Sequence, residues 1–109
     1  MSTEKLAALQ LFYPAAQLLA EDGQPAVFLP GLKVDAPQGL IEVDALLHPS
    51  LHTNYSTRLF LNRQIEAPLA NNWTAHSLCG SSWWACSWQG VGADLTWIDM
   101  IANHLRAFR

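Results

Sequence analysis

One stretch of this chain gathers side chains able to do covalent chemistry near neutral pH: Asn71-Asn72-Trp73-Thr74-Ala75-His76-Ser77-Leu78-Cys79-Gly80-Ser81-Ser82. Among the natural side chains a cysteine is the most ready nucleophile at that pH, because a small fraction is already thiolate. His76 stands three residues before Cys79, and two carboxamides, Asn71 and Asn72, lie further upstream. An asparagine NH2 donates to the oxyanion that forms when a thioester is attacked. His76 reads as a base, as an orienter of the site, or as neither. The same residue types also have plain structural uses. Free cysteine commonly packs as a small hydrophobe, and Cys86, beside Trp84, Ala85 and Trp88, fits that use better than Cys79. Asn71 and Asn72 are ordinary turn formers.

Four of the five tryptophans, Trp73, Trp83, Trp84 and Trp88, fall in the same region. They read as the lid of a core, as a partner contact made by Trp83, Trp84 and Trp88, or as the lining of a ligand pocket. Other chemistries lack their signatures. There is no Gly-x-Ser-x-Gly elbow around Ser77, Ser81, Ser82 or Ser87, and Gly90-Val91-Gly92 lacks the lysine and context of a phosphate loop. Cys79-x6-Cys86 is not the spacing of a zinc knuckle, so neither a metal nor a cofactor is expected.

The elements that must position these residues follow from periodicity. Thr3 to Leu11 predicts a helix capped by Thr3, with Leu6, Leu9 and Phe12 or Tyr13 on one face. Pro14 interrupts it, and Ala15 to Ala20 either resumes the helix or leads into a strand. Glu21-Asp22-Gly23-Gln24-Pro25 is a turn. Three strands follow: Ala26 to Leu29, with Leu32-Lys33-Val34 as a candidate continuation past Pro30-Gly31; Leu40 to Leu47; and Thr57 to Ile65. In the second, Ile41, Val43, Ala45 and Leu47 alternate with Glu42 and Asp44, the period of a half-buried strand. Short connections predict an antiparallel meander. From Glu66 to Gly92 no period is visible, and a long ordered Trp-rich loop is expected there. The chain ends in a helix capped by Asp94, with Ile98, Ile101, Leu105 and Phe108 on its apolar face. The fold class is α+β, in one domain spanning residues 1–109.

Composition narrows the function classes. Half of the residues are hydrophobic and 14% are charged, against a usual charged share of about 25%. Sparse charge suggests that part of the surface meets a partner or a second copy in a homodimer. The net charge is −3 and the basic residues are scattered, which argues against nucleic acid. The N-terminus has no signal-peptide pattern and no apolar run reaches the roughly 20 residues of a bilayer span. No membrane association is therefore expected, the cytoplasm is the expected compartment, and both cysteines are expected there as thiols.

The order of elements, with a cysteine in a long loop before the last helix, resembles the ubiquitin-conjugating enzymes, most closely a divergent bacterial branch of that family. Asn71 stands eight positions before Cys79, as the family's asparagine does before its cysteine; Leu78 matches the apolar residue that precedes it. Trp88, nine after the cysteine, is near the family's tryptophan at eight, and Gly92-Ala93-Asp94-Leu95 matches the Gly-x-Asp turn of the bacterial branch. The family's His-Pro before the asparagine is replaced by Leu69-Ala70, and its proline-rich strand entry has only a loose echo in His48-Pro49-Ser50 and Tyr55. The resemblance implies a UBC-like fold and a transferase. In it Cys79 accepts a ubiquitin-like protein from an activating enzyme as a thioester and passes it to an amine. Asn71 would stabilise the oxyanion, and His76 would orient the site or deprotonate the amine. The bacterial relatives commonly serve anti-phage conjugation systems. The competing expectations are a non-catalytic adaptor that uses the Trp-rich loop and a small-ligand binder with a tryptophan-lined pocket.

Overall fold

Turn chemistry in the first half of the chain sets up the sheet. Asp22 (φ 51°) and Gly23 (φ 78°) separate the paired residues Glu21 and Gln24, which makes a two-residue type I′ hairpin of the kind Asp-Gly favours. The computed structural model describes residues 2–109. It runs α1 (Ser2–Gln10), β1 (Gln17–Glu21), β2 (Gln24–Ala36), β3 (Gly39–His48), β4 (Arg58–Leu61), β5 (Thr74–Leu78), β6 (Ser81–Ala85) and α2 (Trp97–Leu105), and closes with a 3-10 turn, Arg106–Phe108. The fold is α+β: the strands form one six-stranded antiparallel sheet in the order β1-β2-β3-β4-β6-β5. Ala15 to Ala20 thus leads into a strand rather than resuming the helix. Among the described residues no helix is long and apolar enough to cross a membrane.

β2 crosses Pro30-Gly31 without stopping because a bulge absorbs one residue. Leu29 pairs with Ala45 but Leu32 pairs with Val43, so two residues, Pro30 and Gly31, stand opposite Asp44 alone. The extra residue keeps Val27, Leu29, Leu32, Val34 and Ala36 on one face, all buried in a single cluster. Gly31 sits at φ 66° and its N–H donates to Asp44 Oδ1 at 3.0 Å. Gly31→Ala is expected to cost about 1–2 kcal/mol in urea unfolding, the penalty of a Cβ in left-handed backbone. A loss below a few tenths would mean that the bulge relaxes freely.

The expected loop from Glu66 to Gly92 is corrected. It contains the β5–β6 hairpin, paired from Thr74↔Ala85 to Leu78↔Ser81. Its two turn residues are Cys79 (φ 49°) and Gly80 (φ 75°). Cys-Gly carries no turn signature, and the strand residues Thr74–Leu78 and Ser81–Ala85 are too polar or too uniformly aromatic to show a period of two. Both helix caps are also corrected: α1 begins at Ser2, which puts Thr3 inside it rather than at its cap, and the last helix is capped by a different residue than expected. Thr96, not Asp94, is extended (φ −63°, ψ 155°), and its Oγ1 accepts from the Asp99 N–H at 3.3 Å. Asp94 stays in the preceding turn, closed by Leu95 N–H to Gly92 C=O at 3.4 Å. The third strand is shorter than expected, Arg58–Leu61, because the Asp44 N–H donates to the Asn62 side-chain Oδ1 at 3.2 Å instead of to its backbone carbonyl, and Ile65 drops into the core.

Both faces of the sheet are apolar. One carries the main cluster, closed by Leu9 of α1, by Trp97, Met100 and Ile101 of α2, and by Phe108. Each such side chain contributes roughly 1.5–3 kcal/mol when buried. The other face holds Ala26, Leu46, Phe60, Leu78, Trp83 and Ala85, with Leu19, Phe28 and Cys79 against them. Leu46 pairs with Phe28 on one side and Phe60 on the other, so three large side chains form a cross-strand row. β1 and β5 are the two edge strands, yet the Cys79 thiol lies 3.7 Å from the Ala20 carbonyl of β1. The twisted sheet therefore coils until its two edges meet at one end, and the second cluster fills the concave side.

Candidate functional site around Cys79

Cys79 occupies the first central position of the β5–β6 turn, where both backbone φ angles must be positive. Asn, Asp and Gly take that position readily; a cysteine there holds about 1 kcal/mol of backbone strain. The thiol is partly exposed and donates toward Ala20 C=O, whereas Cys86 is buried and both are free thiols. Partial burial pushes the Cys79 thiol pKa up, and the neighbouring Glu21 carboxylate adds to the effect. The site thus presents a reachable sulfur that is protonated at neutral pH.

The structure does not bring Asn71 to it. The two residues lie beyond opposite ends of β5, whose five residues alone span about 13 Å. An oxyanion donor must stand about 3 Å from the reacting oxygen. Asn71 instead donates from Nδ2 to Pro68 C=O at 3.2 Å, and its own carbonyl accepts from the Ser87 N–H at 2.8 Å. It borders an open groove with Pro37, Arg63, Glu66 and Trp73. His76 lies within β5, but its Nε2 engages Thr74 Oγ1 at 2.8 Å and its ring meets the Phe60 ring at 5.2 Å. Burial, then the Arg58 charge, holds its pKa below the ordinary histidine value.

Three of the tryptophans are tied into the fold by their indole N–H groups. Trp83 is 5% exposed, donates Nε1–H to Leu78 C=O at 3.0 Å and meets Phe28 edge-on. That bond braces the turn that carries Cys79. Trp88 is half-buried and donates to Asn103 C=O of α2 at 3.0 Å; Trp73 donates to Ala70 C=O and stacks on Phe108. Trp84 lies between Leu61 and Ala75 in the sheet register. Trp83 thus faces the interior, Trp73 and Trp88 pack against the main cluster, and Trp84, half-buried, belongs to neither apolar cluster.

Several groups near the site carry no motif in the sequence. Glu21 reaches it from the far edge of the sheet. Between β3 and β4, His52-Thr53-Asn54-Tyr55 forms a small hairpin whose His52 ring lies 5.0 Å from His48 and 5.6 Å from His76. Arg58 is 5% exposed, and its Nη1 donates to Thr53 Oγ1 at 3.0 Å. Its guanidinium covers the Tyr55 ring at 4.0 Å, and its buried Nε has no partner. Among the described residues, no three His, Cys, Asp or Glu are arranged to hold a metal. Comparison with family models, curated proteins and solved structures finds no match.

Proposed function

We propose that this chain is a ubiquitin-conjugating-enzyme-like carrier of the divergent bacterial kind, with Cys79 as the thiol that holds a ubiquitin-like protein. The observation that carries the reading is a cysteine kept at a left-handed turn position, where asparagine or glycine would be less strained, with its sulfur reachable from solvent. Strain of that kind gathers at functional sites. The sequence spacing that resembles the family adds to it.

In the transfer, the Cys79 thiolate attacks the carbonyl of a thioester held on the activating enzyme. A new C–S bond forms and the activating enzyme's thiolate leaves. A target amine then attacks the same carbonyl, loses its proton to solvent, and releases the Cys79 thiolate. The raised pKa lowers the thiolate fraction at neutral pH, and the greater nucleophilicity of a more basic thiolate offsets part of that loss, so transfer is expected to quicken as the pH rises. Asn71 and His76 are left as residues that secure the chain entering β5 and the concave face. The setting that the family resemblance suggests is a bacterial anti-phage conjugation system, in which the activating enzyme and the modifier are the partners.

The test is transthiolation with a synthetic peptide thioester ending in Gly-Gly, read by intact mass. Wild type and Cys86→Ala are expected to gain the peptide as a reducible adduct, and Cys79→Asn to gain none. Cys79→Asn is also expected to unfold at slightly higher urea, by up to about 1 kcal/mol, since asparagine tolerates the turn. An adduct on Cys86, or none on the native wild type, would overturn the assignment.

A further inference from the structure

We propose that the His52–Tyr55 hairpin is an acid-released clasp: protonation of His52, wedged between His48 and His76 beside Arg58, opens the segment 49–56 and uncovers Phe60 and Arg58. The inference stands apart from the carrier reading, because it uses neither Cys79 nor its chemistry.

The closed clasp is well defined. His52 and Tyr55 exchange two backbone hydrogen bonds of 2.9 Å across Thr53 (φ 46°) and Asn54 (φ 71°), a third type I′ geometry. The hairpin is tied down at three points. Thr53 Oγ1 accepts from Arg58; the Tyr55 ring lies against the same guanidinium; and the Tyr55 hydroxyl meets Ser87 Oγ at 2.8 Å. The His52 ring closes the assembly from above, edge-on to Phe60 at 5.3 Å.

The groups facing His52 come from four strands: Glu21 of β1, His48 of β3, Arg58 of β4 and His76 of β5. Only Glu21 is of opposite sign. Neutral imidazoles pack in this ring without penalty. A charged one meets the Arg58 cation and two further imidazoles in a half-buried place, where water screens them only in part. Burial, His48, His76 and Arg58 accordingly hold the His52 pKa below its ordinary 6.5, and Glu21 opposes them. In the opened segment His52 returns to water and to its ordinary value. The open form therefore takes up the proton more readily. Closure is fully favoured above about pH 6.5 and weakens below it, by at most about ten-fold per pH unit for one proton.

Amide hydrogen exchange of the whole chain, expressed as protection factors at pH 7.5 and pH 5.5, tests the clasp. The His52 and Tyr55 amides, which need only the local opening, are expected to lose up to about ten-fold protection, and the core amides of Leu46, Phe60 and Ile101 are expected to stay the better protected at both pH values. His104, on the other face of the sheet, takes up a proton in that range only on unfolding, since its folded pKa is pushed down to about 4, so it lowers the protection of the core amides and not that of the clasp. His52→Gln, neutral at both pH values, is expected to abolish the loss. Glu21→Gln removes the one group that eases the charge and is expected to enlarge it. Protection of the His52 and Tyr55 amides as high as that of the core amides, no loss in the wild type, persistence of the loss in His52→Gln, or a smaller loss in Glu21→Gln would each overturn the proposal.

Discussion

Phe60→Ala is expected to lower the free energy of unfolding by about 3–5 kcal/mol, the range for emptying a buried phenylalanine site. Phe60 is fully buried at the centre of the concave face and pairs with Leu46 in the sheet register. The site cannot collapse easily. Its neighbours Leu46 and Leu78 are fixed by strand pairing, and Trp83 is pinned by its hydrogen bond to Leu78. The rings of His52 and His76 also lose the surface they meet edge-on. Urea unfolding followed by tryptophan fluorescence reads the effect. A loss near 1 kcal/mol would mean that the concave cluster is a loosely packed surface, and that only the helix-covered core holds the domain.

Acid is expected to remove about 3 kcal/mol of stability through His104 alone, because burial, with Arg58 second, pushes its pKa from 6.5 down to about 4. His104 is 4% exposed on α2 and shares a buried 2.9 Å hydrogen bond with Thr57 Oγ1. The Thr57 hydroxyl donates to Val91 C=O at 2.9 Å, so it accepts from His104 Nε2–H. The imidazole is therefore held neutral in the folded chain. The sign follows from that. Above about pH 6.5 neither state binds the proton and stability is full. Between 6.5 and about 4 the unfolded chain is protonated and the folded one is not, so stability falls by up to about 1.4 kcal/mol per pH unit. Below about 4 this contribution levels off. His52 and His76, also lowered, add in the same direction. Urea unfolding at several pH values from 7.5 to 4 measures the slope. His104→Gln, which keeps a neutral donor for Thr57, is expected to be less stable at pH 7.5 and to show a shallower acid limb. An unchanged limb would place the acid sensitivity elsewhere.

The two chemical groupings in this chain differ in how far sequence revealed them. Cys79 stood out by residue type and by the family-like spacing. Its turn did not, because Cys-Gly is an uncommon way to fill a type I′ hairpin. The eight-residue interval from Asn71 to Cys79 was legible, but an interval says nothing of distance until the backbone is known. With five of the intervening residues extended in β5, it becomes a separation rather than a contact. The cluster of His48, His52, His76 and Arg58 had no motif to announce it. Its members come from two strands, a loop and the β5–β6 hairpin, and only the sheet register sets them side by side.

By itself the sequence determined the local features: the first helix, the Asp22-Gly23 hairpin, the alternating strand through Ile41 and Leu47, and the apolar face of the last helix. Each depends on neighbours within a few residues, through turn propensity and side-chain period. Tertiary structure decided the rest. It chose Thr96 over Asp94 as the cap and bulged β2 so that Leu29 and Leu32 share a face. It paired β6 with β4, and coiled the sheet until Cys79 met Ala20 and Glu21. Those outcomes depend on which distant strand supplies the hydrogen bonds and how far the sheet twists, and no short-range pattern in a single chain encodes either.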